Sequence, residues 1–265
     1  MCLLNLLTDY SFATIFILAF CALAAGFIDA VVGGGGLIQV PATLIQFPTT
    51  PLATIFGTNK IASLCGTSVA AYQYSKKIKF DYYILFVVAL AAFIASFTGA
   101  KIVSVINPNT LKPIILFILI TIAIYTFLKK DLGKEQTKNL PIQKKLMYGS
   151  AIGLAVGFYD GFFGPGTGSF FVLGFVVVLG FDFLHASAYA KIVNCVTNIS
   201  ALTVFIKQGN FILPIAILMA VCNVTGNFIG SKMALKKGNQ FVRSIFLFIV
   251  IIMIIRYGYD VFLSK

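Results

Sequence analysis

Residues 26–38 read GFIDAVVGGGGLI, and residues 157–171 read GFYDGFFGPGTGSFF. In both stretches an aspartate within apolar sequence is followed by a glycine-rich break, and the two aspartates, Asp29 and Asp160, are 131 residues apart. A register kept without gaps over many residue types indicates a duplicated chain. The same offset also relates Lys60-Ile61 to Lys191-Ile192 and Gly99-Ala100-Lys101 to Gly230-Ser231-Lys232.

The composition is that of an integral membrane protein. Hydrophobic residues make up 59% of the chain and charged residues only 11%, whereas an ordinary soluble domain has about 25% charged residues. A helix needs roughly 20 apolar residues to cross the bilayer core. We therefore expect an all-α polytopic membrane protein of the cell (inner) membrane, with eight to ten spans in two homologous halves.

Five apolar segments are predicted in each half. The second segment of each half is short and follows the glycine-rich break, which is typical of a half-helix or a re-entrant segment. The predicted organisation is a first repeat at 1–128, a basic cytoplasmic linker at 129–145 and a second repeat at 146–265. The predicted segments are 11–32, 36–47, 53–74, 82–105, 111–128, 146–163, 167–181, 186–206, 211–231 and 241–259.

The formal net charge of +12 comes largely from lysines in short loops between apolar segments. This distribution follows the positive-inside rule and argues against nucleic-acid binding. With the linker inside, residues 76–80 also lie inside and Lys207 outside, and residues 232–243 return to the inside. Residues 76–80 and Lys207 occupy equivalent positions in the two halves but lie on opposite sides of the membrane. This predicts an inverted repeat, although Lys101 and Lys112 would then lie outside. A parallel repeat with fewer crossings is the alternative.

Four ionisable residues lie deep within apolar sequence: Asp29, Lys60, Asp160 and Lys191. Each costs about 2.5–3.5 kcal/mol at the centre of a membrane helix, so a function or a partner is expected. One interpretation is a solute site. The other is a buried ion pair that fixes the packing, and the two are compatible because a pair on a solute path can open.

The glycine-rich breaks indicate where such a site lies. Broken helices in transporters present free backbone N–H groups and a positive dipole to an anion, whereas close packing through small residues is the alternative reading of the same glycines. Polar residues at helical spacing in the third segments would add to the site. The candidate solute-binding residues are Asp29, Gly33, Gly34, Gly35, Gly36, Asn59, Lys60, Asp160, Gly164, Gly166, Thr167, Lys191, Asn194 and Asn198.

The chemistry of these residues favours a small oxyanion. Lysine, amide and hydroxyl groups donate hydrogen bonds to an anion, and an aspartate can take up the proton of a coupled gradient. No cofactor and no metal site are expected, because His, Cys and Met do not cluster around the aspartates. No H-E-x-x-H or G-x-S-x-G motif occurs, so no enzyme is expected. Permeation of a carboxylate or a metal cation, and a passive anion channel, remain alternatives.

The two glycine motifs, together with GTNK at 57–60 and AKIVNCVTN at 190–198, resemble the sulfite exporter TauE/SafE family of membrane permeases. The resemblance covers essentially the whole chain. It implies a permease for sulfite, an organosulfonate or a related anion, with export favoured over import, and it points to the candidate residues named above. Position 190 is alanine where the first half has Asn59, so the site would be only pseudo-symmetric. The oligomeric state is left open.

Overall fold

The computed structural model describes residues 10–103, 133, 138 and 140–262, and no strand occurs among them. The predicted fifth segment, 111–128, lies outside the described residues, as does most of the predicted linker. The helices in chain order are α1 (Phe12–Val32), α2 (Gly36–Gln46), α3 (Leu52–Ser75), α4 (Tyr82–Ile102), α5 (Ile142–Phe162), α6 (Thr167–Gly174) with a following π-helical turn (Phe175–Leu179), α7 (Phe183–Lys207) and α8 (Leu213–Phe262).

The all-α membrane architecture predicted from the sequence is confirmed. Four of the described helical stretches are long and apolar enough to cross a membrane: Phe12–Val32, Tyr82–Ile102, Phe183–Lys207 and Leu213–Ile249. Two further helices, α3 and α5, are 24 and 21 residues long but less apolar. Helices α2 and α6 are short, as the glycine-rich breaks predict.

Local sequence explains where several helices begin. The side chain of Ser11 accepts a hydrogen bond from the Thr14 N–H at the start of α1. Asp81 does the same for two N–H groups of α4, and Asp182 for the His185 N–H of α7. These are preferred N-cap residues, since their oxygens satisfy donors that the helix itself leaves free.

Helix α8 contains a single break where the sequence predicts two segments with a loop between them. Gly238 has φ 72° and ψ −163°, whereas its neighbours are helical. This backbone conformation is open to glycine and costly for other residues. In place of the predicted loop at 232–240, the helix is interrupted at Gly238 alone and continues on both sides of it.

Two helix pairs pack closely through glycine. Gly26 of α1 lies against the backbone of Asn223 in α8, where an added Cβ would be 2.2 Å from the Asn223 carbonyl oxygen. Gly157 of α5 lies against Ala92 of α4, where an added Cβ would be 2.6 Å from the Ala92 carbonyl oxygen. Small residues let membrane helices approach in this way.

The basic segments lie together at one end of the bundle. The Gln73 amide, near the end of α3, donates to the Phe228 carbonyl of α8 across a 3.3 Å distance. Lys145, at the start of α5, lines the same pocket as Lys79 in the loop that follows α3. The lysine-rich stretches that the sequence predicts to be inside are thus on one side of the protein.

Candidate solute site at the two glycine-rich breaks

The two glycine-rich breaks meet in the interior of the bundle. Gly33 ends α1 with φ +82°, and Gly164 and Gly166, with φ +90° and +86°, turn the chain between α5 and α6. Glycine adopts such positive φ values without steric cost. The Ser169 N–H donates to the Gly33 carbonyl at 3.2 Å, which joins one break to the other.

A small cavity lies at this meeting point. Its volume is about 20 Å³, which is room for little more than one water molecule. The residues that line it are Asp29, Gly33, Gly36, Phe56, Asn59, Lys60, Ser63, Asp160, Phe163, Gly164, Gly166, Thr167, Gly168, Asn194 and Asn198.

Two helix N-termini contribute to the cavity wall. Helix α2 begins at Gly36 and α6 at Thr167, and the N-cap residues of both helices, Gly35 and Gly166, make no side-chain capping bond. The N–H groups of Leu37, Ile38, Thr167 and Ser169 already bind backbone carbonyls, but each helix start still carries the positive end of its dipole. This part of the wall is therefore suited to negative charge.

Lys60 forms a buried ion pair with Asp160. The distance between Lys60 Nζ and Asp160 Oδ2 is 2.8 Å, and the two side chains are only 4% and 3% exposed. Lys60 Nζ also donates to Asn198 Oδ1 at 3.1 Å. Since Lys60 is on α3 and Asp160 on α5, the pair joins the two halves of the chain.

Lys191 is fully buried and pairs with Asp29. Its Nζ donates to the backbone carbonyl of Asp29 and lies 4.0 Å from Asp29 Oδ1. The Thr67 hydroxyl donates to the other carboxylate oxygen, Oδ2, at 2.8 Å. This ion pair also joins the two halves.

The end of α1 is held by side chains from three other helices. The Tyr74 hydroxyl donates to the Ala30 carbonyl at 3.2 Å, and the Ser187 hydroxyl donates to the Val31 carbonyl at 3.1 Å. The Ser169 hydroxyl donates to the Val32 carbonyl at 3.0 Å. Lys191 belongs to this set, because it binds the carbonyl of Asp29, which precedes Ala30. The last carbonyls of a helix need such partners when they are buried.

Amide groups beside Lys60 retain bonding capacity. Asn198 Nδ2 and Asn59 Oδ1 are buried and have no hydrogen-bond partner among the described residues. Buried polar groups of this kind normally find a partner in protein, water or a ligand. Both residues line the cavity, so the unused groups lie at its wall.

Most of the predicted site residues come together here, and three do not line the cavity. Gly34 packs against Ile249, Gly35 lies against Ala25, and Lys191 is turned to the end of α1. Some glycines of the breaks therefore pack helices, whereas others border the cavity.

Two aromatic side chains of the wall were not predicted. Phe56 and Phe163 pack edge to face with their ring centroids 5.8 Å apart. Phe56 precedes Lys60 by four residues, which places both on one face of α3. That spacing is the signal that could have identified Phe56, whereas Phe163 follows from its position next to Gly164.

His185 lies away from this cavity, at the start of α7. Its Nδ1 is 2.6 Å from Asp182 Oδ2, and its side chain is 44% exposed. Burial raises the pKa of Asp182. Hydrogen bonds from the side chain and backbone of His185 lower this pKa by more than burial raises it, so the net pKa is below the ordinary value. The pair is part of the N-cap of α7.

Comparison with known proteins identifies the family. The family model described as sulfite exporter TauE/SafE matches residues 18–257. The chain belongs to this family. It is a multi-pass membrane transporter of the TauE/SafE family, located in the cell membrane. No solved structure matches the chain significantly.

Relatives of the chain bear the name of transporters. It is 35% identical over 250 residues to the probable membrane transporter protein ORF9 of a Sinorhizobium species, covering 94% of each chain. It is 35% identical over 256 residues to the probable membrane transporter protein YfcA of Escherichia coli K12, covering 92% of this chain and 89% of the relative. A probable membrane transporter protein of Haemophilus influenzae is 31% identical over 242 residues.

Proposed function

We propose that this TauE/SafE transporter is a secondary carrier of a small anion and that the cavity between the two breaks is its binding site. The observation that carries the proposal is the Lys60–Asp160 ion pair in the cavity wall. The two helix N-termini and the unused amide group of Asn198 support it, because both favour a negatively charged ligand.

The arrangement of charges suggests how a proton is coupled to the anion. Two aspartates and two lysines form the buried pairs, so the cluster is neutral when all four are ionised. An added anion would leave one uncompensated negative charge in a medium of low dielectric, which is costly. A proton taken up by Asp160 cancels that charge and releases Lys60 Nζ to the anion. Anion and proton therefore bind together.

This coupling has a consequence for direction. A monovalent anion, such as hydrogensulfite or a sulfonate, carries no net charge when it moves with one proton, so the membrane potential does not drive the step. Each unit of pH difference then balances about a tenfold anion gradient. An acidic exterior drives uptake, and export, which the family resemblance favours, requires a steep outward anion gradient.

The cavity must enlarge before it can admit a solute. About 20 Å³ is too little even for sulfite, so binding requires the Lys60–Asp160 pair to open. Sulfite or a short organosulfonate is the proposed solute, in agreement with the family description. Opening of the pair would accompany the rocking of one repeat against the other, as in other secondary transporters.

We also propose that the chain is an inverted repeat, with units at 1–128 and 146–265 and no catalytic role. Helices α1 to α4 begin at Phe12, Gly36, Leu52 and Tyr82, and α5 to α8 begin 130 or 131 residues later. The contacts of Gly26 with Asn223 and of Gly157 with Ala92 are related by the same 131-residue offset. Both observations support a duplicated architecture.

A carrier of metal cations is the weaker alternative. No group of three or more His, Cys, Asp or Glu side chains suited to a metal occurs among the described residues. Lys60 in the cavity wall would also repel a cation. The experiment described next distinguishes carboxylate transport and a passive anion channel from the proposed function.

The test is reconstitution into liposomes with sulfite, methanesulfonate and acetate as separate solutes. We expect sulfite to accumulate against its gradient when a pH gradient is imposed, and Lys60→Met to reduce this accumulation at least tenfold. The matched control is Lys144→Gln, which removes an exposed lysine at the start of α5. Flux of sulfite that never exceeds equilibrium would indicate a channel, and normal accumulation by Lys60→Met would contradict the proposed site.

A further inference from the structure

A second cavity lies far from the glycine-rich breaks, between the end of α3 and the middle of α8. Its volume is about 750 Å³, which is within the range of sites for small organic ligands. It lies at the end of the bundle that the charge distribution predicts to be cytoplasmic. The residues that line it are Val69, Tyr72, Gln73, Lys76, Lys77, Phe228, Lys232, Leu235 and Lys236.

This second cavity is a groove, and its lining combines strong positive charge with apolar walls. Its four lysines are exposed, and none of them forms an ion pair with a described residue. No acidic side chain lines the groove. Val69 and Leu235 belong to its walls, and Tyr72 and Phe228 are large, partly exposed aromatic side chains at the same place.

The lysines are positioned at the border of this apolar surface. Lys76 Nζ lies 4.1 Å from the centre of the Tyr72 ring, and Lys232 Nζ lies 3.9 Å from the centre of the Phe228 ring. Such cation–π contacts keep the ammonium groups near the aromatic rings without neutralising them. An occupant of the groove would thus meet charge at one end and apolar side chains at the other.

We propose that this groove binds an anionic phospholipid of the cytoplasmic leaflet. The phosphate headgroup would accept hydrogen bonds from Lys76, Lys77, Lys232 and Lys236, and the acyl chains would lie along the apolar walls. A free phosphate would use the lysines only, whereas a lipid matches both parts of the groove. Basic pockets between membrane helices on the cytoplasmic side bind acidic headgroups in this way. The proposal is independent of the transported solute.

The groove also joins the two halves of the chain. Helix α3 is in the first half and α8 in the second, and their direct hydrogen bond here is the 3.3 Å contact from Gln73 to the Phe228 carbonyl. A bound lipid would connect the same two helices through its headgroup, and would thus stabilise their association.

The test is native mass spectrometry of the purified protein with phosphatidylglycerol or phosphatidylcholine added. We expect one phosphatidylglycerol to be retained in preference to phosphatidylcholine. Each lysine near an anionic headgroup changes the binding constant by about fivefold, so Lys76→Gln with Lys232→Gln should weaken retention roughly 25-fold. The matched control, Lys144→Gln with Lys145→Gln, removes two lysines at the same end of the bundle and should leave retention unchanged.

Two further measurements separate the groove from a general basic surface. Val69→Trp narrows the apolar part of the groove but keeps its lysines, and it should also weaken retention. Lys76→Arg with Lys232→Arg keeps the charge and should retain the lipid, which controls for misfolding. Equal retention of both lipids, equal loss in the control variant, or displacement of the lipid by millimolar inorganic phosphate would overturn the proposal.

Discussion

The Lys60–Asp160 ion pair makes a quantitative prediction for stability. Replacing Lys60 by methionine leaves the Asp160 carboxylate buried without its partner at 2.8 Å. Breaking a buried ion pair on one side costs about 3–5 kcal/mol, whereas replacing both partners by uncharged residues is often nearly neutral. We therefore expect Lys60→Met and Asp160→Asn to be strongly destabilising singly and to recover most of the loss when combined.

The assay is a double-mutant cycle in detergent, followed by the loss of helical circular dichroism on heating. Each single variant should lower the melting temperature by roughly 10 °C, and the double variant should lie close to the original protein. The chain offers a matched control in Asp29 and Lys191, whose charged atoms are 4.0 Å apart. Lys191 also binds a backbone carbonyl that Asp29→Asn leaves in place, so its coupling to the Asp29 carboxylate should be smaller. Additive effects of Lys60→Met and Asp160→Asn would refute this reasoning.

Two other changes test how the breaks and caps hold the fold. Gly33→Ala should prevent the recovery of monodisperse protein, because the new Cβ would lie 2.3 Å from the Gly168 backbone. Gly209 has a similar positive φ but open space around it. Gly209→Ala should therefore reduce the free energy of unfolding by only about 1–2 kcal/mol. Asp182→Ala should destabilise the protein by about 0.5–2 kcal/mol at neutral pH, measured by thermal unfolding. Because hydrogen bonds from His185 lower the folded-state pKa of Asp182, this difference should persist above the ordinary aspartate pKa and disappear as the pH falls through the lowered value. A difference that grew on acidification would contradict this assignment.

The helix boundaries were largely predictable from the sequence. Apolar runs and the glycine-rich breaks place α1, α2 and α3 within one residue of the observed ends. Hydrophobicity alone could not place the start of α5, which begins at Ile142 within residues predicted to be linker. Hydrophobicity also could not show that the break in α8 is confined to Gly238, because the polar residues around Gly238 are equally compatible with a loop.

The residues that line the cavity were more predictable than the partners of their charged groups. The 131-residue offset makes Asp29 equivalent to Asp160, and Lys60 equivalent to Lys191, but it does not say which acid meets which lysine. That choice depends on how the two breaks cross, which is a tertiary property. For the same reason the sequence does not show that Lys191 binds the end of α1 while Lys60 faces the cavity.

The proposed coupling of anion and proton is tested most directly by comparing the original protein with Asp160→Asn in sulfite-loaded liposomes. The measurement is anion flux under an imposed pH gradient and, separately, under an imposed potassium-diffusion potential. For the monovalent hydrogensulfite form, we predict that the pH gradient drives net flux in the original protein and that the potential does not. We expect Asp160→Asn to lose the response to pH while still exchanging sulfite across the membrane. Flux that follows the potential in the original protein, or unchanged pH-driven accumulation in Asp160→Asn, would contradict the account.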